Sequence, residues 1–219
     1  MTDVDEQKRA AAEAAALLVA DGDRVGLGTG STVAHLLGAL ARRGLSLRCA
    51  ATSPVTERAA RALGLVVEDL DELGPLDIAI DGADQIDPRG WLVKGGGAAQ
   101  THEKIVAAAS SRFVVIASAE KAVPALKAPV PLEILRFGAQ ATLDRIGEAR
   151  LRDVPPSPEG NLIADYFGPI KDASTLAARL ADTPGVVDHG LFAPRMVSDI
   201  LIAGAAGVEH RELEKGTNS

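Results

Sequence analysis

Apolar residues recur along this chain mostly at helical spacing, broken by short apolar runs. Val4, Ala11, Ala15 and Leu18 share one helical face, and Asp21-Gly22-Asp23 stops the pattern, which predicts an opening helix over residues 4–19. A strand over 25–28, a turn of small residues and a second helix follow. The stripe of that helix is Val33, Leu36, Leu37 and Leu40, and Gly44 ends it. Residues 47–51 read as a strand, 55–63 as a helix closed by Gly64, and 76–80 as a strand ending at Asp81. A helix beginning near Thr101 leads to a strand at 113–117. Strands alternating with helices predict an α/β fold: a mainly parallel sheet with helices on both faces, Rossmann-like in outline.

Beyond Lys127 the texture changes, and Pro129, Pro131, Pro155, Pro156, Pro158 and Pro169 punctuate shorter segments. Strands at 132–135, 162–166 and 186–191 with helices at 139–146 and 173–180 predict a smaller α+β, ferredoxin-like lobe. Residues 200–203 read as a strand returning to the first domain. The expected division is therefore 1–127 with 200–219 against 128–199, with a polar tail after Val208.

The balance of 47% hydrophobic and 24% charged residues over 219 positions is that of a chain that folds. A net charge of -7 argues against a nucleic-acid groove or an anionic membrane surface, so a phosphorylated ligand would need locally placed lysines. Cys49, the single cysteine, lies in an apolar stretch and reads as a buried structural thiol. No window approaches the ~18 uninterrupted apolar residues of a membrane span, and residues 1–8 lack an apolar leader core, so the cytoplasm is the expected compartment.

Two glycine-rich turns carry the candidate chemistry. Gly26-Leu27-Gly28-Thr29-Gly30-Ser31-Thr32 lies between a strand and a helix, where backbone N–H groups and the helix dipole favour an anion. Ser31 stands where a dinucleotide fingerprint needs glycine, no acid lies between Arg24 and Glu57 to hold a ribose, and the Walker lysine is missing. What remains is either a small hydroxyl-rich loop suited to a terminal phosphate or a plain tight turn with a capping serine. Asp81-Gly82-Ala83-Asp84 falls at the carboxyl end of a strand, where ligands collect in open α/β sheets. Asp87 adds a third acid, but the three-residue spacing is not that of a calcium loop, and no histidine or cysteine cluster supports a transition metal. Taken alone, these aspartates read first as turn residues that satisfy local backbone groups.

The second turn is Val93-Lys94-Gly95-Gly96-Gly97-Ala98-Ala99, where three successive glycines imply that the backbone approaches something closely. A lysine beside exposed amides is a ready oxyanion site. Glu103 falls in the first turn of the next helix, where the dipole favours the ionised carboxylate a general base requires. His102 should face elsewhere on that helix, and His35, His189 and His210 are scattered.

In this order the segments resemble the ribose-5-phosphate isomerase A family over nearly the whole chain. The likeness extends to Gly185-Val186-Val187 and Gly190-Leu191-Phe192. The resemblance implies a phosphate turn at Thr29, Gly30, Ser31 and Thr32, with Lys8 and Lys121 also directed at the phosphate. It implies sugar contacts at Asp81, Gly82, Ala83, Asp84, Lys94, Gly95, Gly96 and Gly97, and a catalytic base at Glu103 assisted by Asp81, Asp84 and Lys94. It further implies interconversion of D-ribose 5-phosphate and D-ribulose 5-phosphate through an enediolate in the non-oxidative pentose phosphate pathway. No metal or other cofactor is implied, and a homodimer or dimer of dimers is. Gln85 replaces a glutamate of the family pattern, His102 an arginine, and residues 194–199 depart from the usual loop while keeping Asp199. Two other readings remain: a related sugar-phosphate isomerase or glucosamine-6-phosphate deaminase-like enzyme, and a sugar-phosphate-sensing domain without turnover. The intact Lys94 and Glu103, and the lack of a helix-turn-helix segment, disfavour the sensor.

Overall fold

A computed structural model describes residues 3–213. Chain order begins α1 (Val4–Ala16), β1 (Arg24–Leu27), α2 (Ser31–Arg43), β2 (Arg48–Ala51), α3 (Pro54–Ala62), β3 (Val66–Val67), α4 (Leu70–Leu73) and β4 (Leu76–Gly82). A hairpin of β5 (Gln85–Ile86) and β6 (Leu92–Val93) precedes α5 (Gln100–Ala108) and β7 (Ser110–Ser118). Then come β8 (Val130–Ile134), α6 (Ala139–Ile146), β9 (Ala149–Leu151), β10 (Leu162–Tyr166), α7 (Ala173–Ala181), β11 (Val186–His189) and β12 (Leu191–Phe192). Strands β13 (Asp199–Gly204) and β14 (Gly207–Glu212) close the described chain.

These elements form two compact units. The first takes residues up to Ala83, His102–Ala122 and those from Pro194 onward; the second takes Asp84–Thr101 and Val123–Ala193. In the first, a seven-stranded sheet runs β14-β13-β7-β4-β1-β2-β3, parallel throughout except for the β13–β14 hairpin. Val25, Leu27, Ile78, Ile80, Val114 and Ile116 are buried in it. Helix α1 buries only small residues, Ala11, Ala12, Ala15 and Ala16, which lets its backbone lie close to α2 and its Leu36, Leu37 and Leu40. Helix α3 starts at a proline and is capped by Ser53 Oγ, which accepts from Thr56 N–H at 3.2 Å.

The second unit carries an antiparallel sheet in the order β11-β8-β10-β9 with α6 and α7. That order, with one helix after the first strand and one after the third, is the ferredoxin-like arrangement. Leu132, Ile134, Leu143, Ala164, Leu176 and Leu180 are core residues. A three-stranded sheet β12-β6-β5 joins residues near Gln85 to residues near Leu191, which is why residues 84–101 group with this unit rather than with the α/β domain expected from the sequence.

Two further differences have physical causes. The strand expected over 186–191 breaks at Gly190, whose N–H donates to Pro131 O at 2.7 Å while its carbonyl accepts from Lys94 N–H at 2.8 Å. A Cβ there would overlap the Lys94 carbonyl, so glycine lets the chain pass from one sheet to the other. Of the polar tail expected after Val208, residues 209–212 belong to β14, an exposed edge strand with no buried face to generate an apolar period, and residues 214–219 lie outside the described residues. Cys49 is buried, and burial first, then Glu68, pushes its thiol up to about 12, as expected of a structural cysteine.

Candidate active site

In the first unit, the neighbouring parallel strands β1, β4 and β7 deliver their candidate residues to one carboxyl-end edge. Gly28 continues from β1 with its N–H on Ile80 O at 3.0 Å, and its carbonyl accepts from Thr56 Oγ1 at 2.8 Å. The Asp81 side chain crosses beneath this turn, accepting from Thr29 N–H at 3.0 Å and from Gly82 N–H at 2.7 Å. A Cβ on Gly28 would overlap the Asp81 carboxylate, so glycine is required by contact. Gly30 is required by conformation, with φ +114°, and caps α2 without a side-chain hydrogen bond. No acid occupies the first turn of α2, so the partial positive charge at its N-terminal end meets no carboxylate of that turn.

Thr29 Oγ1 lies 2.8 Å from Thr52 Oγ1, a hydroxyl at the end of β2 that is buried. Sequence reasoning passed over Thr52 and Thr56; the signal was their place just beyond a neighbouring strand of the same parallel sheet. Lys121 sits in the short turn after β7, with its Nζ 3.5 Å from the Glu120 carboxylate. Ala119 N–H donates to Gln7 Oε1 at 3.1 Å, which ties that turn to the segment of α1 bearing Lys8.

Helix α5 carries Glu103 in its first turn, and Glu103 is 4% exposed. Three residues on, Val106 packs where a Cβ on Gly26 of β1 would overlap it. Residues three apart share a helix face, so Glu103 stands about one turn nearer the carboxyl-end edge than Gly26. His102 points elsewhere, lining a surface cavity of about 440 Å³ with Ala51, Leu70, Glu72 and Ile105.

The second unit holds Asp84 and the triple-glycine turn. Asp84 N–H donates to Val93 O at 2.8 Å, and Asp84 Oδ2 accepts from Gly96 N–H at 2.8 Å. Lys94 is 3% exposed, with Nζ 5.5 Å from the centre of the Phe192 ring. Gly96 and Gly97 are exposed. Asp87 accepts from Arg89 and Trp91 N–H, each at 2.9 Å, and so serves the β5–β6 turn. Gln85 both donates to Lys127 O at 2.7 Å and accepts from Lys127 N–H at 2.8 Å, a pairing that an ionised glutamate lacks the donor to make.

Among the described residues, one group of possible metal ligands gathers outside these turns: Asp199, His210 and Glu212. Arg112 already grips both Asp199 oxygens at 2.7 and 2.8 Å, and His210 lies at 2.8 Å. Burial would raise the Asp199 carboxyl, but those bonds outweigh it and hold it below the usual carboxylate range. Residues 194–199 close as a short turn, with Ser198 bonded to Phe113, and bring Asp199 to Arg112.

Comparison with known proteins gives a concordant result. Residues 48–207 match the family model described as ribose 5-phosphate isomerase A (phosphoriboisomerase A). The chain is 48% identical over 204 residues to ribose-5-phosphate isomerase A of Caulobacter vibrioides, covering 86% of this chain and 90% of that protein. It superimposes on the crystal structure of ribose 5 phosphate isomerase A from Neisseria gonorrhoeae with a TM-score of 0.93, at 31% identity, over 97% of this chain and 99% of that one. A D-ribose-5-phosphate isomerase in complex with phospho-erythronic acid matches with a TM-score of 0.91, at 32% identity, over 96% and 100% of the two chains.

Proposed function

The chain belongs to the ribose 5-phosphate isomerase A family, and from that premise we propose how its residues divide the work of moving a proton between two sugar carbons. The enzyme interconverts D-ribose 5-phosphate and D-ribulose 5-phosphate, in the pentose phosphate pathway. The Glu103 carboxylate takes the proton from C2 of the open-chain aldose. The C2–H electrons form the C1–C2 double bond, and the C1 carbonyl oxygen gains the charge of an enediolate. Glu103 then returns the proton to C1, O1 gains a proton as O2 loses its own, and C2 becomes the ketone. Lys94 and the N–H groups of the glycine turn that Asp84 does not take hold the oxygen charge; without them the C2–H would be too weak an acid for a carboxylate base.

Asp81 and Asp84 bind hydroxyls and assist ring opening. Thr29, Gly30, Ser31 and Thr32, with Lys8 and Lys121, hold the phosphate and supply remote binding energy that orients the reacting carbons. The placement of Glu103 carries this reading: a buried carboxylate in the first turn of a helix packed over the strand that leads into the phosphate turn. The ligand named for the solved relative is consistent with it, since phospho-erythronic acid has a phosphate at one end and a planar carboxylate, the shape of an enediolate, at the other. Neither the deaminase nor the sensor reading is favoured by relatives of this identity.

The same reading extends to a homodimer or dimer of dimers working in the cytoplasm, and sedimentation of the purified protein tests the assembly. Because Lys94 and backbone amides carry the oxyanion charge, conversion of ribose 5-phosphate should continue undiminished in excess chelator. Loss of activity in EDTA, restored by a divalent ion, would overturn that assignment.

A further inference from the structure

The second unit contains a strap that none of the roles above uses. Arg152 leaves the end of β9 with its N–H on Ile163 O at 2.9 Å. Its guanidinium grips Asp165 of β10 with both hands, Nε to Oδ2 at 2.8 Å and Nη2 to Oδ1 at 2.5 Å, and both side chains are largely buried. The remaining nitrogen, Nη1, donates to Gly95 O at 3.1 Å and Gly96 O at 3.2 Å. A few residues on, Ser157 Oγ and Asn161 Nδ2 donate to the buried carboxylate of Glu133 at 2.6 and 2.8 Å, and Thr101 Oγ1 donates to the same carboxylate at 2.5 Å. The segment therefore holds the glycine turn directly through Arg152, and it braces Glu133, which takes Thr101 just past the end of that turn.

A trans peptide points its N–H opposite to its C=O. With the Gly95 and Gly96 carbonyls both turned to Arg152, the N–H groups of Gly96 and Gly97 must both turn away from it. The Gly96 N–H confirms the direction, since it donates to Asp84 on the opposite side. Gly97 is exposed, and its N–H has no acceptor among the described residues. The Gly95–Gly96 plane is also held by Ala98 N–H on Gly95 O at 3.1 Å and by Asp84, but the Gly96–Gly97 plane is held among the described residues by Arg152 alone, and between two glycines such a plane would otherwise flip at little cost.

We propose that Arg152, braced by Asp165, is a positioning residue for the reaction: it locks the Gly96–Gly97 peptide so that the Gly97 N–H is presented to the charged oxygen of the enediolate. The fork geometry matters, because three nitrogens serve one carboxylate and two carbonyls, and lysine cannot reproduce that arrangement. This inference rests on the proposed role of Lys94 to Gly97 in holding that oxygen.

The test compares Arg152→Met, Arg152→Lys, Asp165→Asn and Lys94→Met by steady-state kinetics with ribose 5-phosphate, after thermal melts have measured the folded fraction of each. Arg152→Met should lower kcat per folded molecule at least about tenfold, while KM changes less than about threefold, because the phosphate is held elsewhere. Arg152→Lys should recover only part of the loss, and millimolar guanidinium should partly rescue Arg152→Met. A merely structural role would lower the folded fraction and leave kcat per folded molecule unchanged, which would overturn the proposal. Should Arg152→Met not fold, Asp165→Asn must show the same split, and a kcat within about twofold of wild type there is equally fatal. Lys94→Met separates the two levels of the claim. Full activity in that variant removes the oxyanion reading itself, whereas a slow Lys94→Met beside fully active Arg152 variants removes this inference alone.

Discussion

Gly28→Ala is the substitution whose consequence follows most directly from the geometry. The new methyl group would overlap the Asp81 carboxylate, and neither side has room to yield. Gly28 is held through its N–H by Ile80 O and through its carbonyl by Thr56, while Asp81 is 2% exposed and accepts from two backbone N–H groups. Moving the carboxylate breaks at least one hydrogen bond to a charged group, about 1.5–3 kcal/mol. If that cost is carried into the transition state, at roughly 1.4 kcal/mol per decade it amounts to about a 10- to 150-fold loss in kcat/KM. Overpacking should also lower folding stability by about 1–3 kcal/mol. Urea melts and initial rates with ribose 5-phosphate measure both. A variant with wild-type stability and kcat/KM within about threefold would refute the claim that Gly28 and Asp81 are sterically coupled.

Ser31→Ala combined with Thr32→Val should weaken binding of ribose 5-phosphate far more than that of ribose, since each lost hydrogen bond to a charged group is worth about 1.5–3 kcal/mol; equal weakening for both sugars would place the anion elsewhere. Asp172, the cap of α7, is held down from 3.8 to about 2 by Thr175 Oγ1, then Thr175 N–H, then Ser174 Oγ. Its stabilisation is therefore complete above the ordinary carboxylate value and is lost as pH falls through about 2. Urea melts on acidification should show a steeper loss in wild type than in Asp172→Asn, and parallel curves would contradict it.

The α/β domain is legible because its strands and helices alternate and their buried faces repeat with clear periods, as in Val33, Leu36, Leu37 and Leu40 of α2. The ferredoxin-like unit is legible for the same reason. What escaped were pieces too short or too exposed to carry a period: β3, β5 and β6 have two residues each, and β14 has no buried face. The grouping of residues 84–101 escaped because it depends on pairing with β12, about a hundred positions away. The candidate residues were legible where chemistry and spacing coincide in one run, as at the two glycine turns. Thr52, Thr56, Arg152, Asp165 and Glu133 were not, because their partners lie more than ten residues away in sequence and only the fold brings them together.

The central claim is that Glu103 carries the proton, and exchange with solvent tests it most directly. Glu103→Gln keeps the size and polarity of the side chain but removes its basic lone pair, and His102→Asn removes the neighbouring imidazole without touching the carboxylate. In heavy water, Glu103→Gln should lose turnover and deuterium uptake into the sugar together, by about two to four orders of magnitude, while still binding the phosphate ester. His102→Asn should exchange nearly as wild type does. An active Glu103→Gln beside a His102→Asn that no longer exchanges would hand the proton to the histidine and contradict the account.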